Sequence, residues 1–452
     1  MKDAKLSFSA YSTIGVMLFA LFFGAGNLIF PAQLGQQAGT SLWPAVLGFL
    51  ITGVGLPLLG ILAMSFSGSR DLQELSSRVH PVYGIFFTSL LYLTIGPFFA
   101  APRTGTVAFE IGISPFVSEE NLQVGLLIFT ILFFALTLWL SLNPASIVKN
   151  VGKILAPGLV GLLAILLITA VVNPMGSFHA PQEGYQNGAF VKGFLEGYNT
   201  MDALASLVFG IIVIKAIREM GVTSKKGIMI STAKAGSVAI ALLGIIYVGI
   251  AFLGATSVGE LGYAATGGPV LSGAVSYFFG TIGSLLLAVM IILACLTTAI
   301  GLTISCAEYF HTLLPKFSYK TLVVFFVVMT FGIANFGLAN IITFSIPVLM
   351  FLYPLAVVIM LLAFLSPLFD HARVVYGTTI FVTFLISLFD GLKTLCDSLG
   401  IEYFSWMVPV VKFYEQALPF YNQGLGWLLP ALIVIIVMGF ISRIKNLSAV
   451  RA

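Results

Sequence analysis

The chain is a series of apolar runs, each roughly 18–28 residues long and separated by short polar connections. A run of that length crosses a bilayer as a helix, and the helix satisfies its own backbone hydrogen bonds where lipid offers none. The runs fall at about 8–34, 41–65, 81–108, 121–142, 150–173, 193–216, 227–255, 275–310, 320–337, 338–364, 373–390 and 424–441. About 12 spans are therefore expected, and the division between the ninth and tenth rests on the hinge from Asn335 to Asn340. Composition excludes a soluble globule: 8% of residues are charged and 59% hydrophobic, against about 25% charged in a soluble domain. The first run follows Met1, Lys2 and Lys5. It is too long for a secretory signal and lacks a convincing cleavage site, so it reads as a retained span.

Charge sets the orientation. With the N-terminus inside, 17 of the 21 basic residues fall in cytoplasmic segments, and only Arg103, Lys192, Lys393 and Lys412 lie outside. The positive-inside rule then places both termini in the cytoplasm. The longest polar connection, about 391–423, is external and reads as a loop, not a domain. No nucleotide-binding module is present; "GVTSKKG" (Gly221–Gly227) lacks phosphate-loop spacing. Cys295 and Cys306 share one span and Cys396 falls in a loop, so no disulfide framework is expected. His80, His179, His311 and His371 fall near membrane ends, with no metal spacing and no histidine proton relay.

The first span carries a flaw, "LFFGAGNLIFP" (Leu21–Pro31). Gly24, Gly26 and Pro31 disfavour a continuous helix, and Asn27 is costly in hydrocarbon. A break inside a membrane is tolerable where protein or a water-filled cavity surrounds it. There, freed N–H groups face an anion and freed carbonyls a cation. The alternative reading is a packing notch, since small residues let helices approach. The sixth span holds an echo: Ala205-Ser206-Leu207-Val208-Phe209-Gly210 matches Gly26-Asn27-Leu28-Ile29-Phe30-Pro31 in type. Interrupted spans at corresponding places in two halves point to a transporter site built from inverted repeats. The halves would be spans one to five and six to ten.

Three further features carry chemistry. Ala294, Thr297, Thr298, Gly301 and Ser305 share one face of the eighth span, suited either to a small hard cation or to interhelical packing. Asp202, in "GYNTMDALA", is the only carboxylate placed near the midplane, where an acid is a functional hypothesis by default. It would bind an ammonium, carry a proton or orient the broken backbone. In span three, Pro97 and Pro102 should kink the helix, and Phe98 and Phe99 offer an apolar wall. Arg103 is expected near the outer face, snorkelling to headgroups or guarding an entry.

"MLFALFFGAGNLIFPAQLGQQAG" (Met17–Gly39), "GLPLLGILA" (Gly55–Ala63), "IGPFFAAPRTG" (Ile95–Gly105) and "EGYNTMDALASLVFGIIVI" (Glu196–Ile214) resemble the bacterial branched-chain amino acid carriers, the system II carriers for leucine, isoleucine and valine. The resemblance covers nearly the whole chain. It implies membership of the amino acid–polyamine–organocation superfamily and the fold of the bacterial leucine transporter. That is an all-α integral membrane protein with two inverted five-helix repeats (8–173 and 193–364), followed here by two additional C-terminal spans (373–441). By the same resemblance, Ala25 and Gly26 present N–H groups to a substrate carboxylate. Asn27 falls where related transporters place an asparagine beside sodium, and Ser206 and Phe209 match span-six binding residues. Carbonyls of Ala20 and Phe23, with Ala294, Thr297 and Thr298, match a sodium site.

The expected function is import of leucine, isoleucine and valine by symport across a bacterial plasma membrane, coupled to a gradient of Na⁺ or H⁺. No other cofactor, no nucleic acid and no obligate protein partner is expected; membrane lipids surround the chain. A cation-coupled carrier of another small neutral solute, or a sensor of the same fold, is the alternative. A channel would show polar faces on several spans or a repeated filter. An enzyme would need a nucleophile–base or metal constellation that the buried polar residues do not offer.

Overall fold

The computed structural model describes residues 6–142 and 147–451; Lys2 and Lys5 lie outside them. Every regular element among the described residues is helical. Among the described residues seven helical segments are long and apolar enough to cross a membrane, eight if the bent pair Ala189–Thr200 and Asp202–Glu219 is one span. Phe8–Phe22, Gly158–Val172, Tyr319–Ala334 and Leu428–Ile444 are shorter apolar helices. Each run read from the sequence falls on helix. The ninth and tenth divide as expected, into Tyr319–Ala334 and Leu338–Leu365, with Gly337 at a φ of 82° between them. The outward apolar surface, with Leu132, Ile282 and Ile436 all exposed, suits hydrocarbon on that side.

Span one breaks where the sequence is punctuated. Helix Phe8–Phe22, capped by Ser7, ends at Phe23, and helix Ala25–Ala38 begins after Gly24. Pro31 does not break the chain; it lies inside the second helix. Lacking an N–H, it leaves the Asn27 carbonyl without the usual bond from four residues on.

Span six breaks earlier than its echo. Helix Ala189–Glu196 passes through a tight turn, Gly197–Thr200, to Met201 in the left-handed region at φ 62°. A new helix, Asp202–Glu219, leaves at 46° to the first half. The stretch Ala205–Gly210 is therefore continuous helix, which corrects the expectation of a break there. Gly210 is a packing notch: a methyl on it would sit 2.9 Å from Met64 Cβ.

Span three bends at Gly96 (φ −86°, ψ −120°), beside Pro97, within the wide turn Thr94–Phe98. Pro102 causes no kink, because it falls in the first turn of helix Ala100–Gly112, where the missing N–H has no intrahelical partner to lose. The helix runs on to Gly112, beyond the expected end at 108.

The region 391–423 is less loop-like than expected. Helix Arg373–Leu399 extends into it, burying Cys396, and a further helix covers Val408–Ala417. Asp390 in that helix is buried as well, so Asp202 is not the sole carboxylate inside the bundle.

Backbone contact between helices sets the register at the breaks. Span seven, Lys225–Leu261, packs on both halves of span one and on span two. A Cβ on Gly35 would strike the Ala251 carbonyl, and one on Gly254 the Ala32 carbonyl. Gly48 and Gly193 make the same reciprocal approach between spans two and six, to Phe190 and Ala45. Without Cβ atoms the helices touch main chain to main chain, which leaves little freedom in how the broken spans face one another.

Candidate functional site

The two breaks meet at one buried cavity. Gly24, Ala25, Gly26 and Asn27 line it from span one, and Thr200, Met201, Asp202, Ala205 and Phe209 from span six. Ile95, Ala100, Arg103 and Thr104 contribute from span three, and Thr298 and Leu302 from span eight. Phe98 and Phe99, the expected apolar wall, do not face it; Ile95 and Ala100 do. The cavity measures about 40 Å³, room for about three water molecules.

Asn27 and Asp202 tie the breaks together. Asn27 Oδ1 accepts from the Gly24 N–H at 2.8 Å, so the bond that would have continued the first helix onto Ala20 is diverted to a side chain. Asn27 Nδ2 donates to Asp202 Oδ2 at 2.6 Å, and the Tyr247 hydroxyl donates to the same oxygen at 2.9 Å. Asn27 Nδ2 also contacts the Tyr247 hydroxyl. Asp202 opens its helix, a position where the helix dipole favours a negative charge. One carboxylate thus joins spans one, six and seven. Its contacts hold side chains at the first break and on span seven, and Asp202 also lines the cavity. Tyr247 was not foreseen; it sits in an ordinary apolar run, "GIIYVGIA", with no local signal.

Other expected residues separate into those at the cavity and those away from it. Ser206 is fully buried but turned aside: its hydroxyl donates to the Ala203 carbonyl at 2.6 Å and lies where a side chain on Gly60 of span two would stand. With the break at Met201, Ser206 lies on the face of a regular helix turned to Gly60 of span two, whereas Ala205 and Phe209 lie on the face that lines the cavity. Phe209 does reach it and packs on Phe22, with ring centroids 6.1 Å apart. On span eight, Thr297 and Thr298 both donate to the Ala294 carbonyl, at 2.8 and 3.1 Å. That carbonyl is doubly occupied, whereas each hydroxyl oxygen keeps lone pairs. Of the residues expected at the ion site only Thr298 lines the cavity, beside Gly24; Ala20, Phe23, Ala294 and Thr297 do not line it.

Arg103 overturns its expected place. It is not at the outer face but 2% exposed within the bundle. Nη1 donates to the Asn199 carbonyl at 2.8 Å, in the turn before the span-six break. The guanidinium lies over the Phe30 ring, 5.0 Å from its centroid, a favourable cation–π placement. The longer span explains the error: the helix extends to Gly112, so Arg103 sits well inside it.

Comparison with known proteins agrees with this architecture. The chain is 16% identical to the inward-facing structure of Mhp1, with a TM-score of 0.56 over 94% of this chain and 97% of that one. It is 13% identical to the manganese transporter of Eremococcus coleocola, with a TM-score of 0.57 over 96% and 97%. At such identities the likeness concerns the fold alone. Sequence relatives are much nearer. The branched-chain amino acid permease BrnQ of Bacillus subtilis is 50% identical over 95% of this chain and 96% of its own. The branched-chain amino acid transport system 2 carrier protein of Pseudomonas aeruginosa is 42% identical over 94% of each. The model of one family, described as branched-chain amino acid transport protein, matches residues 8–445. A helical bundle with facing breaks, joined to that near-complete match, places the chain in this family of bacterial membrane transporters, which carry amino acids and are not enzymes.

Proposed function

We propose that the protein is a secondary symporter importing leucine, isoleucine and valine, coupled to Na⁺, by alternating access about the broken first and sixth spans. The observation that carries this is the shared cavity at the two breaks, in a chain whose relatives are named as permeases for these amino acids. The carboxylate docks on the N–H groups of Ala25 and Gly26, which open helix Ala25–Ala38 and face the cavity. The ammonium goes to carbonyls before Met201. The side chain lies among Phe22, Ile95, Phe209 and Leu302. An apolar pocket separates chains differing by one methylene by only about 1–3 kcal/mol, so all three amino acids are accepted and charged ones rejected.

Na⁺ sits between spans one and eight, on carbonyls of Ala20 and Phe23 with Thr298. The topology is twelve spans, five plus five inverted (8–173 and 193–364) with two more at 373–441, and both termini cytoplasmic. Leucine uptake by proteoliposomes under separate Na⁺ and H⁺ gradients tests the coupling. Accumulation is expected with an inward Na⁺ gradient alone; accumulation driven only by H⁺ would remove the sodium site. Thr298→Ala removes one ligand to a charged species, a bond of about 1.5–3 kcal/mol. The Na⁺ concentration for half-maximal uptake should rise about tenfold or more, and an unchanged value in the same assay would show that Thr298 holds no ion.

A further inference from the structure

We infer that Arg103 is a ligand of the transported amino acid, its guanidinium meeting the substrate carboxylate beside the Ala25 and Gly26 N–H groups. This rests on the function proposed above and names the charged group that reads the substrate's acid. A guanidinium carries five N–H donors and is never deprotonated in a protein. Arg103 is 2% exposed, yet its hydrogen bond among the described residues is the one from Nη1 to Asn199. Nε is buried without a partner. Nη2 is directed at the first break: a methyl built on Gly26 would lie 3.1 Å from it. Arg103 forms no ion pair with Asp202, whose Oδ2 is bound by Asn27 and Tyr247. Buried donors without acceptors are costly, and Arg103 lines the same cavity as Ala25 and Gly26, the opening residues of helix Ala25–Ala38.

Two independent donor sets, the guanidinium and the helix N-terminus, therefore converge on one small space. Both call for an anion. A carboxylate satisfies both, since its two oxygens accept from the planar guanidinium fork and from backbone N–H groups together. The same contact couples binding to movement. Arg103 belongs to span three and holds the Asn199 carbonyl of span six, so a carboxylate bound to it and to Gly26 links spans one, three and six.

The test is binding of radiolabelled leucine to the purified full chain, competed by leucine or by leucinamide, which replaces the carboxylate with a neutral amide. The affinity ratio needs only the folded fraction of each sample. Arg103→Gln should weaken leucine about 30-fold or more, as expected for loss of a charge-assisted contact. Leucinamide should change less than about threefold on the same grounds, so the ratio collapses. Arg103→Lys keeps the charge but not the fork, and leucine should weaken about tenfold with leucinamide again unmoved. Equal losses for leucine and leucinamide in both variants would make Arg103 a support for Asn199 only and overturn the inference. An unchanged leucine affinity in either would do the same. Wild-type protein that binds no leucine would instead remove the proposed function itself.

Discussion

Asp202→Ala should cut leucine uptake about 100-fold or more and lower the melting temperature of the protein. The side chain accepts from Asn27 and Tyr247, two bonds to a charged group worth about 1.5–3 kcal/mol each. Their loss removes the polar tie between the second half of span one and spans six and seven. It also removes a negative charge that acts on the buried Arg103 guanidinium through space, without an ion pair between them. A penalty near 3 kcal/mol on the arrangement that binds substrate corresponds to about 100-fold in apparent affinity. Tyr247→Phe removes one of the two bonds and should cost about tenfold by the same reckoning. Uptake and thermal unfolding, measured on matched amounts of reconstituted protein, check both. Wild-type uptake by Asp202→Ala would show that the breaks are held by something else. Asp202→Asn separates pinning from proton carriage. A proton carrier so altered keeps leucine counterflow and loses pH-driven accumulation. A pin so altered weakens both alike, and that is the outcome expected here.

The first break was legible because its residues are locally wrong for a membrane helix. Glycine, asparagine and proline together interrupt an apolar run, and the chain does part at Phe23 and Gly24. The second break left a fainter mark. Its strained residue is Met201, not a glycine, and the polar cluster Gly197, Asn199 and Thr200 precedes it. The likeness of Ala205–Gly210 to Gly26–Pro31 drew the break too far along the chain. Similarity of residue type says nothing of which turn is unwound. Arg103 and Tyr247 were hidden for a different reason. Their positions depend on how far span three extends and on where Gly35 and Gly254 let spans one and seven touch. Those are properties of packing between distant segments, with no local pattern to reveal them. Thr298 was found by helical spacing, yet only the fold separates it from Thr297, one residue away and turned from the cavity.

Gly26→Ala should weaken leucine binding about 5–150-fold, the range that overpacking of about 1–3 kcal/mol implies. Two readings, a loosened helix that admits a ligand and a packing notch, stand open for Gly24 and Gly26. Neither glycine has a positive φ. Gly24 is extended at φ −128° and ψ −165°, a region open to any residue, so the need for glycine is spatial. At Gly26 a methyl would lie 3.1 Å from Arg103 Nη2 and 3.3 Å from Phe30 Cε2. Phe30 and the guanidinium are themselves stacked, so neither can yield without moving the other. At Gly24 the nearest atom is Thr298 Cγ2, at 3.3 Å, on the side assigned to the ion. The two alanine variants should therefore part in their effects. Gly26→Ala should weaken leucine and leave Na⁺ dependence nearly unmoved, whereas Gly24→Ala should shift Na⁺ dependence with the smaller effect on leucine. Leucine affinity and half-saturating Na⁺, measured on both, decide it. Wild-type leucine affinity in Gly26→Ala would mean that the carboxylate docks elsewhere than at the opened end of helix Ala25–Ala38.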